Sequence, residues 1–204
     1  MLGNTRKFNI SKKPLQKRKI FLKIIVTAKW RGKMNLRQKL WSIQILRQAY
    51  ISKRTTKLPA IAVAAQAVLE SGYGENEPRD IDTNKRSYNL FAIKAYPEKG
   101  LIGSNGYVKC WTHEEINGIL EPKLLYFRAY NSYKESFDDH ARILAVSKKN
   151  GKQRYREAFD YLNNPEQFIT EVWRAGYCSD SNYVKNIIPL MRQLNKIPIF
   201  LLKL

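Results

Sequence analysis

The sequence predicts an α+β fold that is mostly helical, with a small β region between two groups of helices. Apolar residues recur at spacings of three and four before residue 72 and again after residue 132, as in amphipathic helices. Between them, residues 73–130 are rich in Gly, Asn, Asp and Pro, and their apolar pieces are short. With 204 residues and 44% hydrophobic content, the chain is long enough for one domain with its own core.

The strong positive charge is confined to the N-terminal part of the chain. The formal net charge is +20, but residues 1–57 hold 17 Lys+Arg and no acidic residue, which leaves 20 basic against 17 acidic residues in the remainder. A nearly neutral domain argues against a specific nucleic-acid binder. We expect residues 1–34 to be a disordered basic tail or an export segment. A cleaved signal with its apolar part at 20–26 and a solvated arm both stay open.

Two helices are predicted before the β region. The apolar stripe over residues 35–52 predicts an amphipathic helix. The segment Leu58–Leu69 is almost entirely apolar, with Gln66 as its polar exception, and this predicts a buried central helix. Pro59 and Gly72 mark the two ends of that helix.

The β region is predicted to combine short ordered pieces at 88–94, 107–112 and 124–130 with a long loop at 75–86. Four further helices are predicted at about 133–146, 155–162, 164–176 and 180–194. Ser132 and Glu135 have the spacing of a capping box before the first of these helices, and Asp180 is expected to be the N-cap of the last. We assign residues 35–197 to the domain and 198–204 to a short C-terminal tail.

Glu70 is the candidate catalytic residue because it ends the most hydrophobic predicted helix. A carboxyl group held there is partly desolvated, which raises its pKa and makes it a proton donor at neutral pH. Cleavage of a glycosidic bond needs such a general acid, because the leaving oxygen must be protonated as the C–O bond breaks. On spacing alone, a Glu that points to solvent beyond the last helical turn is an equal alternative.

Four separate motifs share their order and spacing with one known family. They are Ala64–Gly74, Asn89–Lys94, Phe127–Tyr130 with the following Ser136 and Asp139–His140, and Gly176–Asp180 with Tyr183. From about residue 35 to residue 196, the chain resembles the glucosaminidase family, glycoside hydrolase family 73. The resemblance implies a lysozyme-like fold whose small β lobe flanks the substrate cleft. It also implies an endo-β-N-acetylglucosaminidase that cleaves the β-1,4 bond after N-acetylglucosamine in peptidoglycan.

The resemblance assigns the general acid to Glu70 and a second carboxylate to the β lobe. Glu114 matches that second position, with Glu115 and Glu121 as alternatives. Inverting and retaining routes stay open, as does a substrate-assisted route that needs Glu70 alone. Seven residues at or beside the motifs are expected to bind the sugars: Tyr73, Asn89, Phe91, Trp111, Tyr126, Tyr177 and Tyr183. For Asn89, stabilising a turn is an equal alternative.

We expect no metal and no cofactor, because the two cysteines and two histidines fit no metal-ligand spacing. Cys110 and Cys178 are expected to be buried free thiols, with a disulfide between them as the alternative for an exported protein. A muramidase or lytic transglycosylase on the same fold is the nearest alternative function, followed by a non-catalytic wall- or polyanion-binding protein. The expected partners of the enzyme are peptidoglycan glycan strands. Anionic wall polymers are a second expected partner, bound through the basic arm. We expect the protein to be a monomer that acts in the cell envelope or is secreted.

Overall fold

In the computed structural model, residues 34–116 and 119–203 are described. The helices and strands in these ranges are α1 (Leu36–Thr56), α2 (Ala60–Glu70), β1 (Tyr107–Ile116), β2 (Ile119–Arg128), α3 (Tyr133–Val146), β3 (Lys148–Lys149), β4 (Lys152–Gln153), α4 (Pro165–Arg174) and α5 (Tyr183–Leu194). Short 3-10 helices lie at Pro97–Lys99, Arg156–Tyr161 and Ile199–Lys203. This order confirms the predicted α+β, mostly helical fold with a β lobe between two groups of helices. The prediction for the basic arm, residues 1–33, lies outside the described residues.

The central helix of the core is α2. Every residue from Ala62 to Val68 is buried, and α1, α4 and α5 all pack against this helix. A helix that is apolar all round must be covered on all sides, and the small alanine side chains let its neighbours approach closely. The predicted buried central helix is confirmed.

The β lobe is an antiparallel hairpin of β1 and β2, with Tyr107 opposite Arg128 at its base. A neighbouring segment adds to each outer edge. The N–H of Ile81 donates to the carbonyl of Lys109 on β1 at 2.8 Å, and the N–H of Ala95 donates to the carbonyl of Tyr126 on β2 at 2.9 Å. The ordered piece predicted at 88–94 is therefore not a full strand, and it meets β2 by a single bridge at its last residue.

The start of α3 agrees with half of the predicted capping box. The Ser132 hydroxyl accepts from the N–H of Glu135, as expected. The Glu135 carboxylate instead accepts from the N–H of Asn131, one residue further from the helix, at 3.0 Å. Ser132 thus caps the helix as predicted. The second bond of the capping box goes to the N–H of Asn131 instead of that of Ser132.

The start of α5 differs from the prediction. Asn182, not Asp180, is the N-cap residue. The Asp180 carboxylate accepts from the N–H of Asn182 at 2.8 Å, which stabilises a turn before the helix. The Asp180 carbonyl is held by the indole N–H of Trp173 on α4 at 3.0 Å. This contact joins the end of α4 to the turn before α5, seven residues later in the chain.

The C-terminal segment is part of the domain rather than a separate tail. Ile199–Lys203 forms a 3-10 helix that packs against α1. Leu201 in this helix is buried and belongs to the main core cluster. The expected boundary at residue 197 therefore lies too early, because an apolar side chain beyond it contributes to the core.

Candidate active site

Glu70 is the last residue of α2, and the chain turns sharply directly after it. Gly72, Tyr73 and Gly74 all have left-handed backbone conformations, with φ of +54°, +59° and +81°. Gly74 is also required for space, because a Cβ at this position would lie 2.5 Å from the indole nitrogen of Trp41. The glycines of the motif thus end the helix at the candidate acid.

Burial raises the pKa of the half-buried Glu70 carboxyl. Within the described residues, this carboxyl group has no hydrogen bond or ion pair that would stabilise its charged form. Desolvation without a compensating partner favours the protonated acid. Of the two alternatives at the sequence level, the desolvated carboxyl therefore agrees with the structure better than a solvent-pointing helix end.

Two tyrosines from the segment before α5 and from its first turn lie within electrostatic reach of Glu70. Burial raises the pKa of Tyr177 and Tyr183, and the negative charge of Glu70 raises both further. Their ring centroids are 5.9 Å apart. Both phenols are therefore neutral hydroxyl groups beside the carboxyl group, and the structure brings together three of the residues predicted for the site.

Gln66 supports this group from one turn earlier on α2. Residues four apart lie on the same helical face, so Gln66 is directly below Glu70. Its side chain is fully buried; the amide nitrogen donates to the Tyr183 hydroxyl at 3.1 Å, and the amide oxygen lies 3.3 Å from Nε2 of His140. The Tyr183 hydroxyl accepts this hydrogen bond through an oxygen lone pair. Its own proton therefore stays available for another acceptor.

His140 connects Gln66 to the aromatic residues below the site. It is 2% exposed, and burial lowers its pKa to about 3, so the imidazole is neutral. Its ring stacks on Phe91 with centroids 3.9 Å apart and meets Tyr177 edge-on at 5.8 Å. Neither Gln66 nor His140 was predicted as a site residue. The four-residue spacing of Gln66 from Glu70 is the signal that could have identified it.

Phe91 and Asn89 were predicted to bind sugar, and the structure buries both. Phe91 is 7% exposed and stacks on His140, so little of its ring is open to a sugar. The Asn89 amide donates to the carbonyls of Ile93 and Arg128, and its oxygen accepts from the N–H groups of Phe91 and Ile93. All of its polar atoms are engaged by the backbone. The alternative role of Asn89, stabilising a turn, is confirmed.

Glu114 lies on β1 of the lobe. Its carboxylate is 2.8 Å from Nζ of Lys94, and both side chains are partly exposed. Its partner across the hairpin is the exposed Glu121. The side chain of Glu115 lies outside what the structure describes. Of the three carboxylates considered from the sequence, Glu114 is thus the one that has a described ion-pair partner.

Trp111 and Tyr126 lie on the opposite face of the hairpin from Glu114. Side chains alternate along a strand, so Trp111 and Glu114, three residues apart, point to opposite faces. Val108, on the Glu114 face, is buried, whereas Trp111 and Tyr126 are 60% and 42% exposed. The structure therefore does not bring these two aromatic residues together with Glu114 on one face.

Tyr73 packs on the helical side of the molecule, in the turn after Glu70. It is half-buried, and its ring meets that of Trp41 on α1 edge-on, with centroids 6.4 Å apart. Burial raises its pKa. Its position close in sequence to Glu70 keeps it as a predicted sugar contact.

Cys110 and Cys178 are free thiols, so the alternative of a disulfide between them does not apply to this structure. Both are half-buried rather than buried, and desolvation raises the pKa of each. No group of three His, Cys, Asp or Glu side chains in the described ranges is arranged to hold a metal ion. Within the same ranges, every helix is too short or too polar to cross a membrane.

Comparison with known proteins finds a matching family model and several similar proteins. A family model named glucosaminidase, described as mannosyl-glycoprotein endo-beta-N-acetylglucosaminidase, matches residues 46–196. The peptidoglycan hydrolase FlgJ of Pseudomonas aeruginosa is 34% identical over 132 residues, which cover 65% of this chain and 30% of that protein. The exo-glucosaminidase LytG of Bacillus subtilis is 29% identical over 136 residues, covering 67% of this chain and 44% of that protein. The chain thus spans less than half the length of these relatives.

A solved structure agrees with the fold. The C-terminally truncated glycoside hydrolase domain of FlgJ from Salmonella typhimurium superposes with a TM-score of 0.61 at 26% sequence identity. The match covers 79% of this chain and 99% of that domain. The lysozyme-like arrangement implied by the sequence motifs is thereby confirmed.

Proposed function

The chain belongs to the glucosaminidase family, and on this premise we propose that it is a peptidoglycan hydrolase in which Glu70 is the general acid. The observation that carries the proposal is the partly buried Glu70 carboxyl, whose pKa is raised by burial. The charge of this group in turn raises the pKa of Tyr177 and Tyr183. An acid that keeps its proton near neutral pH can deliver it to a leaving alkoxide.

In the proposed reaction, protonated Glu70 donates its proton to the glycosidic oxygen as the C–O bond breaks. Positive charge then develops at the sugar carbon, and water completes the hydrolysis. Tyr177 and Tyr183 are held as neutral hydroxyl groups, so they can hydrogen-bond to the substrate or to Glu70 without adding charge. General acid assistance of this kind contributes about 10²- to 10⁴-fold to a rate.

For the second carboxylate we propose Glu114. Its carboxylate lies 2.8 Å from Nζ of Lys94, so the side chain has a defined position on β1, as a general base or a nucleophile requires. Glu70 as the acid and Glu114 as the second carboxylate would divide the two roles of a glycosidase. The substrate-assisted route remains the alternative, since it needs Glu70 alone.

For the bond cleaved, we propose the β-1,4 bond after N-acetylglucosamine in peptidoglycan, cut within the glycan strand. The names of the relatives support a peptidoglycan substrate and a glucosaminidase, while the name of the Bacillus subtilis protein makes exo-cleavage a second mode to be tested. A muramidase or lytic transglycosylase is the alternative on the same fold. We further propose action as a monomer in the cell envelope or outside the cell, with anionic wall polymers bound by the basic N-terminal arm.

The test is digestion of purified peptidoglycan by the wild type, by Glu70→Gln and by Glu75→Gln as a matched control on an exposed carboxylate. Glu70→Gln should lose at least about 100-fold in rate because the amide cannot donate the proton. It should be at least as stable as the wild type at pH 7, since it no longer buries a group that ionises. Retention of activity within a few-fold of wild type would refute the role of Glu70.

The soluble fragments from the same digest identify the bond. Reducing-end N-acetylglucosamine supports a glucosaminidase, whereas reducing-end muramic acid or its anhydro form indicates a muramidase or a lytic transglycosylase. Long fragments at early times support endo-cleavage, and steady release of single sugars or disaccharides from strand ends supports exo-cleavage. These outcomes distinguish the alternatives even if Glu70 is confirmed as the acid.

A further inference from the structure

A second cavity of about 560 Å³ lies between α1, the start of α3 and the loop that precedes the β lobe. Gln44 and Gln48 form part of its α1 wall, and Ser132 lies on the α3 side. It shares no wall residue with the group formed by Glu70, Tyr177 and Tyr183. The cavity is therefore distinct from that group of three residues, although Gly74 of the turn after Glu70 also lines it. Its size is typical of pockets for small molecules.

Every charged residue on the wall of this cavity is an arginine: Arg37, Arg79 and Arg86. Arg79 and Arg86 face each other in an antiparallel bridge. Side chains directly opposite each other in such a bridge lie on the same side, about 5 Å apart at their Cβ atoms, and like charges in this position are destabilising. The bridge thus directs two arginine side chains to the same side, which is an unfavourable pairing of like charges.

Arg86 is fixed in place by a buried carboxylate. The Glu77 side chain is 2% exposed and accepts from Nη2 of Arg86 at 2.7 Å and from its Nε at 3.3 Å. The Tyr133 hydroxyl accepts from the same Nη2 at 2.6 Å and donates to Glu77 at 2.8 Å. Nη1 of Arg86 makes none of the hydrogen bonds described for the chain, and the side chain is 40% exposed. A positioned guanidinium edge therefore remains for a ligand.

Arg79 is exposed, and its guanidinium has no ion pair or hydrogen bond among the described residues. The charge of Glu77 is already used by Arg86, and the nearby Glu75 pairs with Arg37. Repulsion between Arg79 and Arg86 is thus not relieved by a neighbouring carboxylate. An oxyanion bound between them would neutralise the pair and accept hydrogen bonds from both forks.

We propose that this cavity binds a ligand through an oxyanion, either a carboxylate or a phosphate, held between Arg79 and Arg86. The space exceeds what a single phosphate fills, so the group belongs to a larger molecule. The amides of Gln44 and Gln48 offer hydrogen bonds to its polar part. The Tyr88 ring lies under the Arg86 guanidinium, 4.8 Å from its centroid, and helps to keep that group in place. The two sources to be distinguished are the carboxylates of peptidoglycan stem peptides and the phosphates of wall polymers.

Calorimetric titration of the full chain carrying Glu70→Gln tests the proposal, because this background prevents turnover. The probes are muramyl dipeptide for the carboxylate and glycerol phosphate for the phosphate, at constant ionic strength. We expect saturable binding of at least one probe, and the tighter probe identifies the source. Adding Arg79→Gln should weaken it about tenfold or more, since hydrogen bonds to charged groups contribute about 1.5–3 kcal/mol.

Arg156→Gln is the matched control, because Arg156 is an equally exposed arginine in an ion pair away from the cavity. Its binding should equal that of the parent. Absence of saturable binding, or equal weakening by Arg79→Gln and Arg156→Gln, overturns the proposal. The proposal is also overturned if a probe binds the wild type but does not bind the Glu70→Gln protein, because that probe depends on the candidate acid.

The melting temperature is a second measurement, and it distinguishes a ligand-binding role of Arg79 from a structural one. Without a probe, Arg79→Gln should keep or raise the melting temperature, because a repulsive pair is removed. A bound probe should raise the melting temperature of the parent and not that of Arg79→Gln. A lower melting temperature of Arg79→Gln without a probe overturns the proposal. None of these measurements depends on hydrolysis, so the proposed function can fail independently.

Discussion

The variant His140→Gln should lose less stability than the wild type between neutral pH and pH 4. The imidazole is 2% exposed, and burial lowers its pKa from 6.5 to about 3, against a smaller opposing effect of Asp139. In the unfolded chain, a histidine takes up its proton near pH 6.5. Below that pH the unfolded state therefore binds one proton more than the folded state, and the free energy of unfolding falls as the pH falls.

The size of the effect follows from the interval between the two pKa values. Each pH unit in this interval costs about 1.4 kcal/mol, so going from pH 6.5 to pH 4 removes roughly 3 kcal/mol. The raised pKa of Glu70 acts with the opposite sign and the lowered pKa of Asp139 with the same sign. Both groups are also present in the variant, so their contributions largely cancel in the difference between the two proteins.

Urea unfolding of the wild type and His140→Gln at pH 7 and pH 4 measures this difference. At pH 7 the variant should be less stable by about 1–3 kcal/mol, because it loses the stack of His140 on Phe91. At pH 4 that difference should shrink by roughly 3 kcal/mol and disappear or change sign. An unchanged difference at the two pH values would refute the assignment of His140 as a buried neutral group.

The β lobe provides two further predictions. Asn89→Ala should lower the free energy of unfolding by at least about 2 kcal/mol in urea titrations, because the buried carbonyl of Arg128 and the buried N–H of Phe91 lose their partners; a cost below 1 kcal/mol would contradict the turn-stabilising role. Glu114→Gln should lower the rate of peptidoglycan hydrolysis more than Glu121→Gln, because Glu114 has the described ion pair. Equal and small effects of both substitutions would favour the substrate-assisted route.

The helical part of the fold could be predicted because its signal is local. A segment such as Ala60–Leu69, apolar except for Gln66, has few ways to be buried, and the central position of α2 follows from that. The same helix makes Glu70 a candidate acid, but on spacing alone a Glu pointing to solvent is an equal alternative. The family motif around Glu70 favours the acid. The start of α5 could not be predicted, because Asp180 and Asn182 are both residue types that cap helices well. The structure places the N-cap at Asn182, with the Asp180 carbonyl bonded to the indole N–H of Trp173.

The roles of the polar and aromatic residues were harder to predict. Asn89 and Phe91 have the chemistry of sugar contacts, and only tertiary burial shows that they support the site from within. The role of Gln66 could not be recognised from the sequence, because the residue lies in an otherwise apolar helix and its two partners come from α5 and α3. The opposed pair of Arg79 and Arg86 lies in a loop without periodicity, so the sequence contains no local signal for their pairing.

The alternation of side chains in the hairpin restricts how its length can change. Deleting or inserting one residue between Val108 and Glu114 would turn the carboxylate to the face now held by Trp111 and put the neighbouring side chain in its place. A change of two residues would preserve both faces and alter the reach of the lobe by about 7 Å. Variants of this lobe that keep the same chemistry should therefore differ from it by even numbers of residues, and engineering of its reach should proceed in steps of two.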